Sequence, residues 1–139
     1  QTTKIIIMLT NFENYTSELT PEERKMVPTI VNGLKQLIGK EKAWSNKRIG
    51  QAILDRYNVK LSSPRLRKII QYIRVKDLVP CLIATSIGYY VAANKKEVEE
   101  YIKSLEERIN SISLTKYSIE RQFNNKYIKP SNNQINLGL

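Results

Sequence analysis

Apolar residues recur at helical spacing in three successive stretches of this chain. Met26, Val27, Ile30, Val31, Leu34, Leu37 and Ile38 fall three or four positions apart, which predicts a helix running to about Ile38. Thr20-Pro21-Glu22-Glu23 marks its start, with a hydroxyl to cap, a proline suited to the first position and a glutamate to complete a capping box. Pro28 is expected to kink or divide this helix and Gly39 to stop it. After a loop, Ser45 caps a second helix over 46–57, with Ile49, Ile53 and Leu54 inward and Trp44 packed beneath. Asn58-Val59-Lys60 reads as a turn, and Ser62-Ser63-Pro64 opens a third helix over 64–76. There Leu66, Ile69, Ile70 and Ile73 form a core-facing stripe. Arg67, Lys68 and Gln71 lie on the opposite face, flanked by Arg65, Tyr72 and Arg74.

The period then changes. Residues 81–85 and 89–92 read as two short strands around Ser86-Ile87-Gly88, a hairpin signal. One of the adjacent tyrosines, Tyr89 or Tyr90, should face the core and the other outward, and Cys81 reads as a small buried apolar residue. Asn94 and Glu97 start a fourth helix reaching about Phe123. Its apolar positions Val98, Ile102, Leu105, Ile109, Ile112 and Ile119, with Lys116 filling one step, alternate by four and three, which is a heptad seam. Ser111, Ser113, Thr115 and Ser118 weaken its middle. Four segments follow: an N-terminal arm (1–19), a helix-rich domain (20–93), an oligomerisation helix (94–123) and a flexible Asn-rich tail (124–139).

Charge changes this picture from a fold to a candidate function. Residues 35–76 hold twelve Lys and Arg against Glu41 and Asp55, a net of +10 that equals the net charge of the whole chain. A basic block so concentrated is the electrostatic footprint of a polyanion-binding surface. Other chemistries lack their residues. The chain has no His, which removes histidine general bases and histidine metal ligands, and its one Cys cannot build a thiolate zinc site or an internal disulfide. No phosphate-cradling glycine motif is present, and no cluster of acids has convincing metal-binding spacing. The expectation is a protein without cofactor or metal that is not an enzyme. The apolar run Ile5-Ile6-Ile7-Met8-Leu9 is too short for a secretory signal core and reads as a strand or buried arm. No run is long enough to span a bilayer, and the lone cysteine suits a reducing compartment. A cytoplasmic location is therefore expected.

The order helix, helix, short turn, basic helix, hairpin is that of a winged helix-turn-helix, here followed by a long C-terminal helix in a mainly α chain with a small β-hairpin. Three stretches carry a resemblance: Arg65-Leu-Arg-Lys-Ile-Ile-Gln-Tyr-Ile-Arg74, Leu82-Ile-Ala-Thr-Ser-Ile-Gly-Tyr-Tyr-Val91 and Tyr101-Ile-Lys-Ser-Leu-Glu-Glu-Arg-Ile109. Over about residues 20–122 the chain resembles small winged-helix proteins encoded by bacteriophages and prophages. The resemblance implies a double-stranded DNA-binding role in replication or transcriptional regulation, in the bacterial cytoplasm and associated with nucleoid or phage DNA, with the Gly-Tyr-Tyr hairpin as the wing. Ile87 at the hairpin tip departs from the basic or polar residue expected there, which leaves the helix as the main reader. Phosphate anchoring is expected from Lys42, Lys47, Arg48, Lys60, Ser62 and Ser63, and groove contacts from Arg65, Arg67, Lys68, Gln71 and Tyr72. The heptad seam has two readings: packing on its own domain to close the core, or, the favoured one, pairing with a second copy to give a homodimer presenting two basic helices to half-sites roughly 34 Å apart. The alternative is a non-enzymatic interaction module in a replication or packaging complex, with a protein partner for the tail.

Overall fold

The computed structural model describes residues 18–128 of the chain. The apolar run at residues 5–9 and the tail beyond residue 128 lie outside the described residues. The elements are helix α1 (Pro21–Leu34), a single 3₁₀ turn (Lys40–Lys42), α2 (Asn46–Tyr57), α3 (Ser63–Val75), strands β1 (Leu82–Thr85) and β2 (Gly88–Val91), and a long α4 (Lys95–Phe123). The chain is thus mainly helical with one small antiparallel hairpin. It divides into two compact units after Val98. No helix among the described residues is long and apolar enough to cross a membrane.

Local chemistry sets most boundaries. The Thr20 hydroxyl accepts from the Glu23 amide at 3.2 Å, and Glu23 Oε1 accepts from the Thr20 amide at 2.8 Å, closing the capping box. Ser45 caps α2 by accepting from the Arg48 amide, and Ser62 caps α3 by accepting from the Arg65 amide. Helix α3 therefore begins one residue earlier than its proline suggests, with Ser63 as its first residue. Asn58 ends α2 in the left-handed conformation, φ 54°.

The first helix departs from expectation. Pro28 sits inside α1 without dividing it, and the helix stops at Leu34 rather than Ile38. Tertiary pairing explains the early end. The Val91 amide donates to the Leu37 carbonyl at 2.7 Å, and the Gly39 amide donates to the Val91 carbonyl at 2.8 Å. The end of β2 thus takes backbone groups that a longer helix would consume. Gly39 serves this bridge at φ 97°, and Ile38 is left exposed. Trp44 adds a second bridge, exchanging both backbone hydrogen bonds with Tyr89 at 2.9 and 3.1 Å. Residues 38 and 44 so flank β2 on the side away from β1.

The core lies where α1, α2 and α3 meet the hairpin. Ile69 and Ile73 are completely buried, with Leu66, Ile70, Leu34 and Ile30 beside them. Leu19, assigned from the sequence to the arm, is buried in this core. In the hairpin, Ile83 pairs with Tyr90 and both are buried, while Tyr89 is only partly covered. Strand β2 begins at Gly88, so the connecting turn is Ser86-Ile87 alone. Cys81 is exposed rather than buried, because it lies at φ 58° just before β1 while Leu82 turns inward.

Helix α4 runs to Phe123 as its spacing predicts, and Asn94 Oδ1 accepts from the Glu97 amide at its start. The helix is continuous through its weak middle, where Thr115 and Ser118 return their hydroxyls to the carbonyls of Ser111 and Leu114 on the preceding turn. The first residues assigned to a flexible tail, Asn124–Ile128, continue as one wider helical turn, with the Phe123 and Tyr127 rings 5.6 Å apart.

Candidate nucleic-acid interface

The capping serines place the starts of α2 and α3 side by side. Asn46, the first residue of α2, donates from Nδ2 to Ser63 Oγ at 2.8 Å and to the Ser63 carbonyl at 3.2 Å. Arg67, one turn further along α3, donates to the same Ser63 hydroxyl at 3.0 Å. From the hairpin, the Tyr89 hydroxyl donates to Asn46 Oδ1 at 3.3 Å. A chain of four polar side chains thus ties two helix N-termini to the second strand of the hairpin, one pair from its turn. Neither helix carries an acid in its first turn, so the partial positive charge of both termini is uncompensated from within the helix.

Cations surround this cluster in the sequence and remain exposed in the structure. Lys47 and Arg48 lie on the first turn of α2, Lys60 in the turn before α3, and Lys42 in the 3₁₀ turn. The Arg48 guanidinium stacks over Trp44, 4.0 Å from the ring centroid, which fixes its direction. Ser62 is exposed at the α3 cap. Gln71 is partly buried, and Tyr72 packs against the core. Burial pushes the Tyr89 phenol above its ordinary value, against the opposing pull of Arg67 and Arg74.

Two of the expected groove contacts are engaged elsewhere. Glu23 on α1 is 1% exposed, and its carboxylate accepts from Lys68 Nζ at 2.9 Å and Arg65 Nε at 3.1 Å. Arg65 also lies 3.7 Å from Glu22. Burial by itself would raise the Glu23 carboxyl. Lys68, the Thr20 amide and Arg65 together overcome this and hold it at about 2. Arg65 and Lys68 therefore clamp α3 to α1, and Arg67, which points away from that seam, is the cation of the first α3 turns bonded to the polar cluster.

Sequence reasoning did not single out Asn46, and took Glu23 only as a capping residue. Asn46 carries a weak signal, a polar residue directly after a capping serine. Glu23 was legible as a capping-box residue, and its burial was not. Among the described residues no three of His, Cys, Asp and Glu are grouped to hold a metal ion. A hollow of about 470 Å³ between α1 and α2 is lined by Ile30, Leu34, Trp44, Ile49 and Ile53 and by no acid. On α4 the seam residues Ile102, Ile109, Ile112, Ile119 and Phe123 are exposed, and Val98 and Leu105 are partly buried. Comparison with protein-family models, curated proteins and solved structures finds no match to this chain.

Proposed function

We propose that this protein binds double-stranded DNA through its N-terminal unit, acting as a winged helix-turn-helix with α3 toward the major groove. The observation that carries the reading is the joining of the α2 and α3 N-termini by Asn46, Ser63 and Arg67, all within the segment that holds the whole net charge, with Tyr89 of the hairpin bonded to Asn46. A helix of about 10–12 Å diameter fits the major groove of B-DNA, and helix N-termini with hydroxyls and cations are favourable phosphate contacts. The bridges of residues 38 and 44 to β2 support the winged arrangement, since they give the hairpin a partial third strand between the first two helices. In this reading Lys42, Lys47, Arg48, Lys60, Ser62 and Ser63 anchor phosphates. Arg67 and Gln71 approach base edges, and Arg65 and Lys68 hold the reading helix in place. The role proposed for this binding, in replication or transcriptional regulation, is the one the resemblance to phage and prophage winged-helix proteins implies.

Fluorescence anisotropy of a labelled duplex of about thirty base pairs, repeated across a salt series, tests it. Binding is expected to weaken with salt at a log–log slope near −0.9 per phosphate neutralised. Lys47→Ala should weaken all duplexes alike and flatten the slope by about one unit. Arg67→Ala should relax sequence preference by about 1–3 kcal/mol at the base it contacts. Absence of salt-dependent binding by the wild type at low ionic strength would overturn the reading.

A further inference from the structure

Helix α4 presents a seam without a cover. It has 29 residues and none is buried, and Ile109, Ile112 and Ile119 are 61%, 69% and 57% exposed along one line. An alternation of four and three over 98–123 is the pattern by which one helix packs along another of the same pattern. We propose that α4 pairs with α4 of a second copy of this chain, and that the two helices run antiparallel.

The seam sequence argues for both the occupant and the direction. In a parallel pair each seam residue meets its own copy. Lys116 would then face Lys116, and Phe123 would face Phe123. An antiparallel pair in which residues opposite one another sum to 221 matches the whole seam instead. Ile109 meets Ile112, Ile102 meets Ile119, and Val98, the smallest apolar seam residue, meets Phe123, the largest. Lys116 then lies against Leu105, beside Glu106 of the second copy, so the one charge in the seam gains an opposite charge across it. Within its own helix Lys116 already pairs with Glu120 at 3.0 Å, which draws its ammonium to the edge of the seam. The parallel alternative places no acid of the second copy at the positions flanking that layer within one turn before it, where Thr115 and Ser113 stand.

Sedimentation of the full chain at micromolar concentration gives the oligomeric state, and disulfide capture gives the direction. Cys81 is exposed and is first replaced, Cys81→Ser. In that background Ile102→Cys and Ile119→Cys are made in separate chains. An antiparallel dimer cross-links when the two chains are mixed and little when either is oxidised alone. The double change Ile109→Glu, Ile112→Glu should give a monomer, with the fluorescence of the single Trp, Trp44, unchanged because that tryptophan belongs to the N-terminal unit. A wild-type monomer, or an assembly larger than a dimer, would overturn the proposal. Self-cross-linking of the Ile102→Cys chain alone would overturn the direction. None of these readings involves DNA, so they stand apart from the outcome of the binding experiment.

Discussion

Replacing Glu23 by Gln removes one charge and no volume from the junction of α1 and α3. The carboxylate accepts from the Thr20 amide and Lys68 through Oε1 and from Arg65 through Oε2. A glutamine can keep its oxygen toward Thr20 and Lys68, but its amide nitrogen then faces the Arg65 N–H, donor against donor. The magnitude follows from the proton equilibrium. The carboxyl is lowered from 4.5 to about 2, which corresponds to about 3 kcal/mol of stability carried by the ionised form. The Arg65 and Lys68 side chains are 38% and 30% exposed, so water screens part of this and about 2 kcal/mol is the expected loss at pH 7. Because the folded-state value lies below the ordinary one, this stability is fully present above about pH 4.5 and is lost as pH falls toward about 2. Urea unfolding of both proteins, followed by circular dichroism from pH 7 downward, measures the difference directly. The gap between them should be widest near neutrality and roughly halved by about pH 3. A gap that stays constant with pH, or a Glu23→Gln protein as stable as the wild type at pH 7, would refute the assignment of Glu23 as the ionised partner of both cations.

Other substitutions test the packing around the site. Gly88→Ala drives a methyl into the Trp44 carbonyl group at a residue with φ 131°, and should cost on the order of 2–3 kcal/mol through strain and loss of the Trp44–Tyr89 bridge. A lowered urea midpoint by Trp44 fluorescence is the expected result, and an unchanged midpoint would contradict the geometry of the bridge. Ile69→Ala, at a fully buried position, should cost about 2–5 kcal/mol by chemical denaturation.

Caps and periodicity made the helices legible. Ser45 and Ser62 announce α2 and α3 almost to the residue, and the stripe Leu66, Ile69, Ile70, Ile73 is the buried face of α3. Where local signals compete with distant backbone partners, the sequence misleads. Leu37 and Ile38 continue the helical period, yet residues 37–39 bond to Val91, more than fifty positions away. The candidate site divides in the same way. Its charge is visible from composition, because net charge needs no fold. The separate fates of Arg65 and Arg67, two positions apart, are not. One lies toward α1 and meets a buried carboxylate, and the other lies beside Ser63. Only the docking of α1 against α3 decides between them, and the pairing of a capping glutamate with cations 42 and 45 residues downstream leaves no periodic trace.

The bridges from residues 38 and 44 also bear on how the chain avoids unwanted association. A two-stranded hairpin has two outer edges, each a row of backbone groups on which another chain could template a strand. Here the segment between α1 and α2 occupies the outer edge of β2 at Val91 and at Tyr89. The remaining edge is that of β1, only four residues long and ending at Thr85. Among the described residues, one edge is thus blocked by the protein's own backbone and the other is kept short, which limits the length of backbone on which another chain could add a strand.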